Sequence, residues 1–82
     1  MFKDDNLFDV VVIDCYLKNN HLTKKEFCIR CEINESILKK IYSQNTDISV
    51  KDLIKISNEI KIPVASLFNA QYYSKIQTRF SL

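Results

Sequence analysis

The stretch of sequence that decides the fold runs from Leu22 to Phe68 and reads LTKKEFCIRCEINESILKKIYSQNTDISVKDLIKISNEIKIPVASLF. Its apolar residues recur three or four positions apart, which is the spacing of one face of an α-helix. Two helix-capping patterns interrupt it, TKKE at residues 23–26 and SVKD at residues 49–52. In such patterns a hydroxyl accepts a hydrogen bond from an amide in the first helical turn. The stretch therefore predicts several short helices with defined starting points.

The helical spacing continues on both sides of these caps. Asn6 is predicted to cap a first helix that ends near Asn20, and a third helix is predicted to begin after Asn34. Pro63 is predicted to start a short fifth helix, because its fixed φ and missing amide suit the first turn. We therefore expect an all-α protein with five helices between Asn6 and Asn69. The predicted inner residues of helices two to five are Phe27, Cys28, Cys31, Ile37, Leu38, Ile41, Leu53, Ile54, Ser57, Ile60, Val64, Leu67 and Phe68.

Length and composition restrict the chain to one small domain. The sequence has 82 residues, of which 46% are hydrophobic and 27% charged, as in ordinary globular proteins. Glycine is absent, which excludes phosphate-binding loops, dinucleotide fingerprints and the nucleophile elbow of hydrolases, because each needs a backbone that glycine tolerates. The single histidine, His21, has no serine or acid at the spacing of a catalytic triad. We therefore expect no enzyme, no catalytic residues and no cofactor.

The placement of charges and cysteines bears on partners and compartment. The formal net charge is +2, yet residues 1–20 carry two lysines against four aspartates, whereas residues 21–45 carry five cations against three glutamates. The three cysteines, Cys15, Cys28 and Cys31, and the lack of a signal-peptide pattern predict reduced thiols in the cytoplasm. The C-x-x-C pair has no second ligand pair, so we expect buried thiols and no metal. No apolar run is long enough to span a membrane.

The deciding stretch resembles the Cro/C1-type helix-turn-helix family, also called the xenobiotic-response-element (XRE) family. The resemblance rests on a Leu-Thr opening followed by a glutamate, on Cys28 as the small residue where two helices cross, and on the pair Ile33-Asn34. A Ser cap, a Leu-Ile pair and a Pro-x-x-x-Leu-Phe ending follow, and the match covers 47 of the 82 residues without a gap. It implies a five-helix, lambda-repressor-like domain over residues 1–70 and a C-terminal extension over residues 71–82.

In this family the second helix of the pair lies in the major groove of DNA, with residues near its N-terminus on base edges. The resemblance therefore implies a sequence-specific, double-stranded DNA-binding transcription regulator, acting as a homodimeric repressor of bacterial or phage origin, with no small-molecule ligand. The implied base-reading residues are Glu35, Ser36, Lys39 and Lys40. The implied phosphate contacts are Thr23, Lys24, Asn34, Ser43 and Asn45.

The first predicted helix departs from the family pattern and leaves a second function open. It has acidic and apolar residues where the family often has arginines that contact phosphates. The alternative is a protein-interaction module of the same fold, partner-binding or antitoxin-like, with weak or no DNA binding. The extension is a candidate dimerisation segment; packing on its own first helix, or stacking on single-stranded bases, are its alternative uses. The predicted dimer interface consists of Val12, Leu17, Tyr72, Tyr73, Ile76 and Phe80.

The missing glycines also predict backbone strain at the helix ends. The family often has glycine at positions that fall here near His21, Glu32, Gln44 or Asn45, and Lys61. We expect left-handed backbone there, at a cost of roughly 1 kcal/mol each at Glu32 and Lys61. The fold is therefore expected to have modest stability.

Overall fold

The computed structural model describes residues 7–69, and this part of the chain is all helical apart from its turns and one isolated bridge between two residues. The all-α prediction is confirmed. The four α-helices are α1 (Val10–Asn19), α2 (Lys24–Cys31), α3 (Glu35–Tyr42) and α4 (Val50–Ile60).

The predicted count of five α-helices is wrong, because the segment after Pro63 forms only a single turn. This turn is a 3-10 helix at Val64–Leu67. Phe68 is already extended, with φ −105° and ψ 150°, and forms an antiparallel bridge with Phe8. Four residues between a proline and an extended residue complete one 3-10 turn but leave no room for a series of i to i+4 bonds.

Side-chain caps fix the start of three of the helices. Thr23 and Glu26 form the predicted capping box: the Glu26 amide donates to the Thr23 hydroxyl at 3.1 Å, and the Thr23 amide donates to the Glu26 carboxylate at 2.8 Å. Ser49 caps α4 through the amide three residues later. Asp9 is the N-cap of α1, so this helix begins later than predicted; the predicted cap, Asn6, lies outside the described residues. Each cap satisfies an otherwise unpaired amide and contributes about 1 kcal/mol.

All four α-helices are followed by a left-handed residue, although the chain has no glycine. The amide of the next residue donates to the carbonyl five positions earlier, which closes each helix with a Schellman-type bond. Gln44, and not Asn45, takes this conformation after α3. The left-handed residues, with φ from 54° to 69°, are His21, Glu32, Gln44 and Lys61. The closing bonds are Leu22 to Leu17 (2.9 Å), Ile33 to Cys28 (3.0 Å), Asn45 to Lys40 (2.8 Å) and Ile62 to Ser57 (3.1 Å).

The core draws on every helix. Phe27 of α2 and Ile56 of α4 have no exposed surface, and Ile13 of α1 has 1%. Ile54 was predicted to face inward but is 42% exposed. The buried face of α4 runs through Leu53, Ile56 and Ser57, and Ile54 lies about 100° around the helix from Leu53. The remaining buried residues are Phe8, Leu17, Cys28, Cys31, Leu38, Ile41, Leu53, Ser57, Leu67 and Phe68.

The two ends of the described chain meet beside the turn that follows α3. The Phe8 and Phe68 rings stack with centroids 5.4 Å apart. The Asn69 amide donates to the Leu7 carbonyl at 2.8 Å. The Gln44 side chain accepts from the Phe8 amide at 2.7 Å and donates to the Phe8 carbonyl at 3.1 Å. The left-handed turn at Gln44 therefore also anchors the segment that enters α1.

Candidate nucleic-acid interface

The polar residues of α3 occupy one side of the helix. Leu38 and Ile41 are buried in the core, whereas Ile37, which was also predicted to face inward, is only half-buried. At 3.6 residues per turn, the remaining polar positions fall within an arc of about 140° on the opposite side. Glu35, Ser36, Lys39 and Ser43 are exposed, and Lys40 is half-buried. The structure therefore brings all four predicted base-reading residues to one outward face of α3.

A groove of about 380 Å³ runs between α2 and α3 beside this face. Its wall carries two of the predicted base-reading residues, Glu35 and Lys39, and two of the predicted phosphate contacts, Lys24 and Ser43. The other lining residues are Cys28, Leu38 and Tyr42. The two helices thus present their predicted contact residues next to one another, with apolar side chains between them.

Lys24 and Tyr42 form a contact that the sequence did not predict. The Lys24 ammonium lies over the Tyr42 ring, 3.9 Å from its centroid. The Tyr42 hydroxyl donates to the Asp14 carboxylate of α1, 28 residues away in the sequence. Burial, the hydrogen bond to Asp14 and then the charge of Asp14 raise the pKa of Tyr42 well above its ordinary value. The hydroxyl is therefore a neutral hydrogen-bond donor at physiological pH.

Lys40 is held at the end of the polar face. Its ammonium lies 3.8 Å from the Asp47 carboxylate and donates to the Asp47 carbonyl at 3.4 Å. The Asp47 amide in turn donates to the Asn45 side-chain oxygen at 2.8 Å. The Asp47 side chain is 90% exposed, so this ion pair is weak and open to exchange. Asn45 and Asp47 therefore shape the turn that holds Lys40.

The other predicted phosphate contacts lie at helix ends. Thr23 uses its hydroxyl in the capping box of α2, and Asn34 is the N-cap of α3 without a side-chain capping bond. The Ser43 hydroxyl donates to the Lys40 carbonyl at 3.1 Å. Thr23 and Asn34 thus stand where helix N-termini present free amides, which favour anions.

The residues predicted for a dimer interface divide into two groups. Leu17 is only 8% exposed and packs in the core of its own chain, so it offers little surface to a partner; Val12 is half-buried. The predicted interface residues of the extension, Tyr72, Tyr73, Ile76 and Phe80, lie outside the described residues. The exposed large hydrophobic residues within 7–69 are Val11, Ile29, Val50 and Ile54.

A second polar network joins α1, α2 and α4. The Tyr16 hydroxyl donates to the Glu59 carboxylate at 2.6 Å, and Arg30 lies 3.7 Å from the same carboxylate. The hydrogen bond to Glu59 is the main cause that raises the pKa of Tyr16. Tyr16 also contacts Phe27 edge to face, with centroids 5.7 Å apart. This network secures the packing of α1 and stands apart from the polar face of α3.

Cys28 and Cys31 are buried, whereas Cys15 is exposed, and all three are free thiols. Burial raises the pKa of Cys28, and it raises the pKa of Cys31 to about 12. Within residues 7–69 no group of three or more metal-ligating side chains gathers at one place. The two thiols of the C-x-x-C pair are therefore protonated core residues at physiological pH.

We expect the buried thiols to make the protein alkali-sensitive. The thiol of an unfolded cysteine has a pKa of about 8.5. The folded protein therefore keeps its full free energy of unfolding below that pH and loses part of it as the pH rises toward the folded-state pKa of the thiol. Between pH 9 and 10 the free energy of unfolding should fall by up to about 1.4 kcal/mol per pH unit through Cys31. Urea titrations across this range should show a shallower pH slope for Cys31→Ala than for wild type. Cys15→Ala, which removes an exposed thiol, is the matched control, and equal slopes for all three proteins would contradict the expectation.

No protein-family model, curated protein sequence or solved structure matches this chain. In the part of the chain that the structure describes, no helix has the length and apolar character needed to cross a membrane. The candidate interface therefore rests on the geometry of α2 and α3 alone.

Proposed function

We propose that the chain is a Cro/C1-type helix-turn-helix protein that binds double-stranded DNA and regulates transcription, with α3 as the helix that enters the major groove. The observation that carries the proposal is the outward arc of α3, on which Glu35, Ser36, Lys39 and Lys40 stand together. Lysine donates to guanine edges, and glutamate accepts from cytosine. A short helix with such residues on one side, and apolar residues on the other, fits a groove-reading role.

The start of α2 supplies the second part of the proposed interface. Lys24 lines the groove beside the α3 face, and Thr23, the N-cap of the same helix, directly precedes it in the sequence. Phosphate contacts of this kind fix the orientation of a protein on DNA, while base contacts determine the sequence. We assign Lys24 and Thr23 to the phosphate backbone and the α3 residues to the bases.

We further propose a homodimeric repressor, because one copy of this face carries few cations. Two copies double the phosphate contacts and place two α3 helices on one side of the DNA, about 34–36 Å apart or a multiple of it. Such an arrangement requires an inverted-repeat operator. Repression by occupying the operator needs no further domain.

A protein-interaction module of the same fold is the second candidate. It is favoured by the exposed apolar side chains of three helices, Val11, Ile29, Val50 and Ile54. Asp14 on α1 adds negative charge next to the proposed interface, which opposes DNA binding. In this reading the fold is retained for binding a protein partner.

Selection of bound fragments from a random double-stranded DNA library separates the two candidates. The expected result is a restricted set of sequences with inverted repeats, bound at low salt and still bound at physiological salt. Footprints should show two half-sites one or two helical turns apart. A protein without enrichment at either salt concentration is not a DNA-binding regulator, and the interaction module then becomes the better proposal.

Two lysine substitutions test which residues of the proposed interface contact bases and which contact phosphates. Lys40→Ala should change the preferred sequence, since a base-edge contact contributes about 1–3 kcal/mol of discrimination. Lys24→Ala should weaken all sequences alike and reduce the slope of log K against log salt by about 1. Lys51→Ala on α4 removes an equal charge from an exposed site outside the proposed interface and is the control. If Lys40→Ala and Lys24→Ala both bind like Lys51→Ala, α3 is not the reading helix.

A further inference from the structure

Lys24 differs from its basic neighbours in what its ammonium contacts. Within residues 7–69 the ion pairs join Arg30 to Glu59 and Lys40 to Asp47, and neither includes Lys24. The partner of Lys24 is the face of the Tyr42 ring, 3.9 Å away. A ring face attracts a cation without supplying a neutralising charge. Lys24 is therefore held in place while its charge stays available to an anion.

The Tyr42 ring is itself fixed at both ends. Its backbone is the last residue of α3, and its hydroxyl donates to the Asp14 carboxylate on α1. The ring is half-buried and forms part of the wall between α2 and α3. A ring anchored at its backbone and at its hydroxyl has little freedom to move away from the lysine. The contact thus joins α1, α2 and α3 at one point.

We propose that Tyr42 is a positioning residue for Lys24 at the nucleic-acid interface, and that Asp14 sets the position of the ring. The inference rests on the proposed function. A lysine side chain loses much rotamer freedom when it binds a phosphate. Stacking on a fixed ring removes part of that freedom before DNA arrives, so binding costs less. Asp14 thus favours DNA binding by holding the Tyr42 ring in position, although its negative charge repels the phosphates.

A double-mutant cycle measures the positioning role. Tyr42→Leu should weaken binding of the DNA selected by wild type by about 2- to 5-fold, the range of a cation–π contact at an exposed site. Tyr42→Phe keeps the ring and should restore most of that affinity. In the Lys24→Ala background, Tyr42→Leu should cause no further loss. Equal losses in both backgrounds would mean that Tyr42 acts only on the fold, and that result overturns the inference.

Proton NMR of the DNA-free protein tests the contact independently. The ε-methylene resonances of Lys24 should shift upfield through the ring current of Tyr42, remain upfield in Tyr42→Phe, and return to ordinary values in Tyr42→Leu. Lys25 is exposed on the same helical turn and provides the reference resonances. Ordinary Lys24 shifts in wild type overturn the inference, whatever the DNA result.

The two experiments keep the inference and the proposed function apart. Wild-type protein with the upfield shift but without any DNA binding overturns the proposed function, and with it the role of Lys24. Wild-type protein that binds DNA, together with a folded Tyr42→Leu variant of equal affinity, overturns the positioning role alone. Circular dichroism establishes that the Tyr42→Leu variant is folded; if it is not, Tyr42→Met, which also removes the ring but fills more of its volume, replaces it in both experiments with the same expected losses of affinity and of the upfield shift.

Discussion

Replacing His21, Glu32 and Lys61 together by glycine should raise the free energy of unfolding by about 3 kcal/mol. Each has a positive φ, between 54° and 69°, where a Cβ costs roughly 1–2 kcal/mol and glycine costs nothing. The extra freedom of glycine in the unfolded chain takes back about 0.4–1 kcal/mol per site, which leaves about 1 kcal/mol. Distant sites add, so Tm should rise by roughly 12–24 °C for a chain of this size.

Gln44 is left unchanged in this variant because its side chain performs a second task. It bonds both the amide and the carbonyl of Phe8, and glycine would lose both contacts. The charges of Glu32 and Lys61 cancel, so the formal net charge stays the same. Lys51→Gly, at an exposed position in the first turn of α4, is the control: its backbone is helical, so glycine there should not raise stability. A triple variant no more stable than wild type in thermal and urea unfolding would show that these helix ends are not left-handed.

The helix ends could be predicted from the sequence because the physics that sets them is local. A capping box is decided by residues within one turn, so Thr23 was identified from its neighbours alone, whereas the left-handed residue at Glu32 was expected from the family resemblance. That the segment after Pro63 forms only a 3-10 turn could not be predicted locally, because the pairing of Phe68 with Phe8 across the fold limits its length. The inner face of α4 was misjudged at Ile54 for a similar reason, since helical spacing allows two overlapping faces and packing decides between them.

In the candidate site, too, the features set by local spacing could be predicted and those set by long-range packing could not. The outward face of α3 could be predicted once its apolar positions were placed inside, because helical geometry then fixes the direction of every other position. The long-range side-chain bonds of the residues beside and after this face could not. Tyr42 bonds Asp14 from 28 residues away, and Gln44 bonds Phe8 from 36. Such pairs leave no periodic signal, and only the assembled fold brings them together.

Phe27→Ala should lower the free energy of unfolding by about 3–5 kcal/mol. Phe27 has no exposed surface and contacts Tyr16 edge to face. Removing its ring loses the transfer free energy of a large side chain and leaves a cavity that close-packed neighbours fill only in part. A domain of this size has a total stability of about 4–12 kcal/mol at 0.05–0.15 kcal/mol per residue. We therefore expect a large fraction of Phe27→Ala to be unfolded at physiological temperature.

The stabilised glycine variant makes that loss measurable. The three glycines lie at helix ends, so the cavity penalty should be the same in their background, and their added stability should keep Phe27→Ala folded in water. Urea unfolding of the pair with and without the substitution then gives the cost directly. Ile29→Ala is the matched control: it removes a large apolar side chain from the same helix, but from a position 67% exposed, and should change stability by less than about 0.5 kcal/mol. Equal costs for the two substitutions would mean that α2 packs on the core through a different face from the one that carries Phe27.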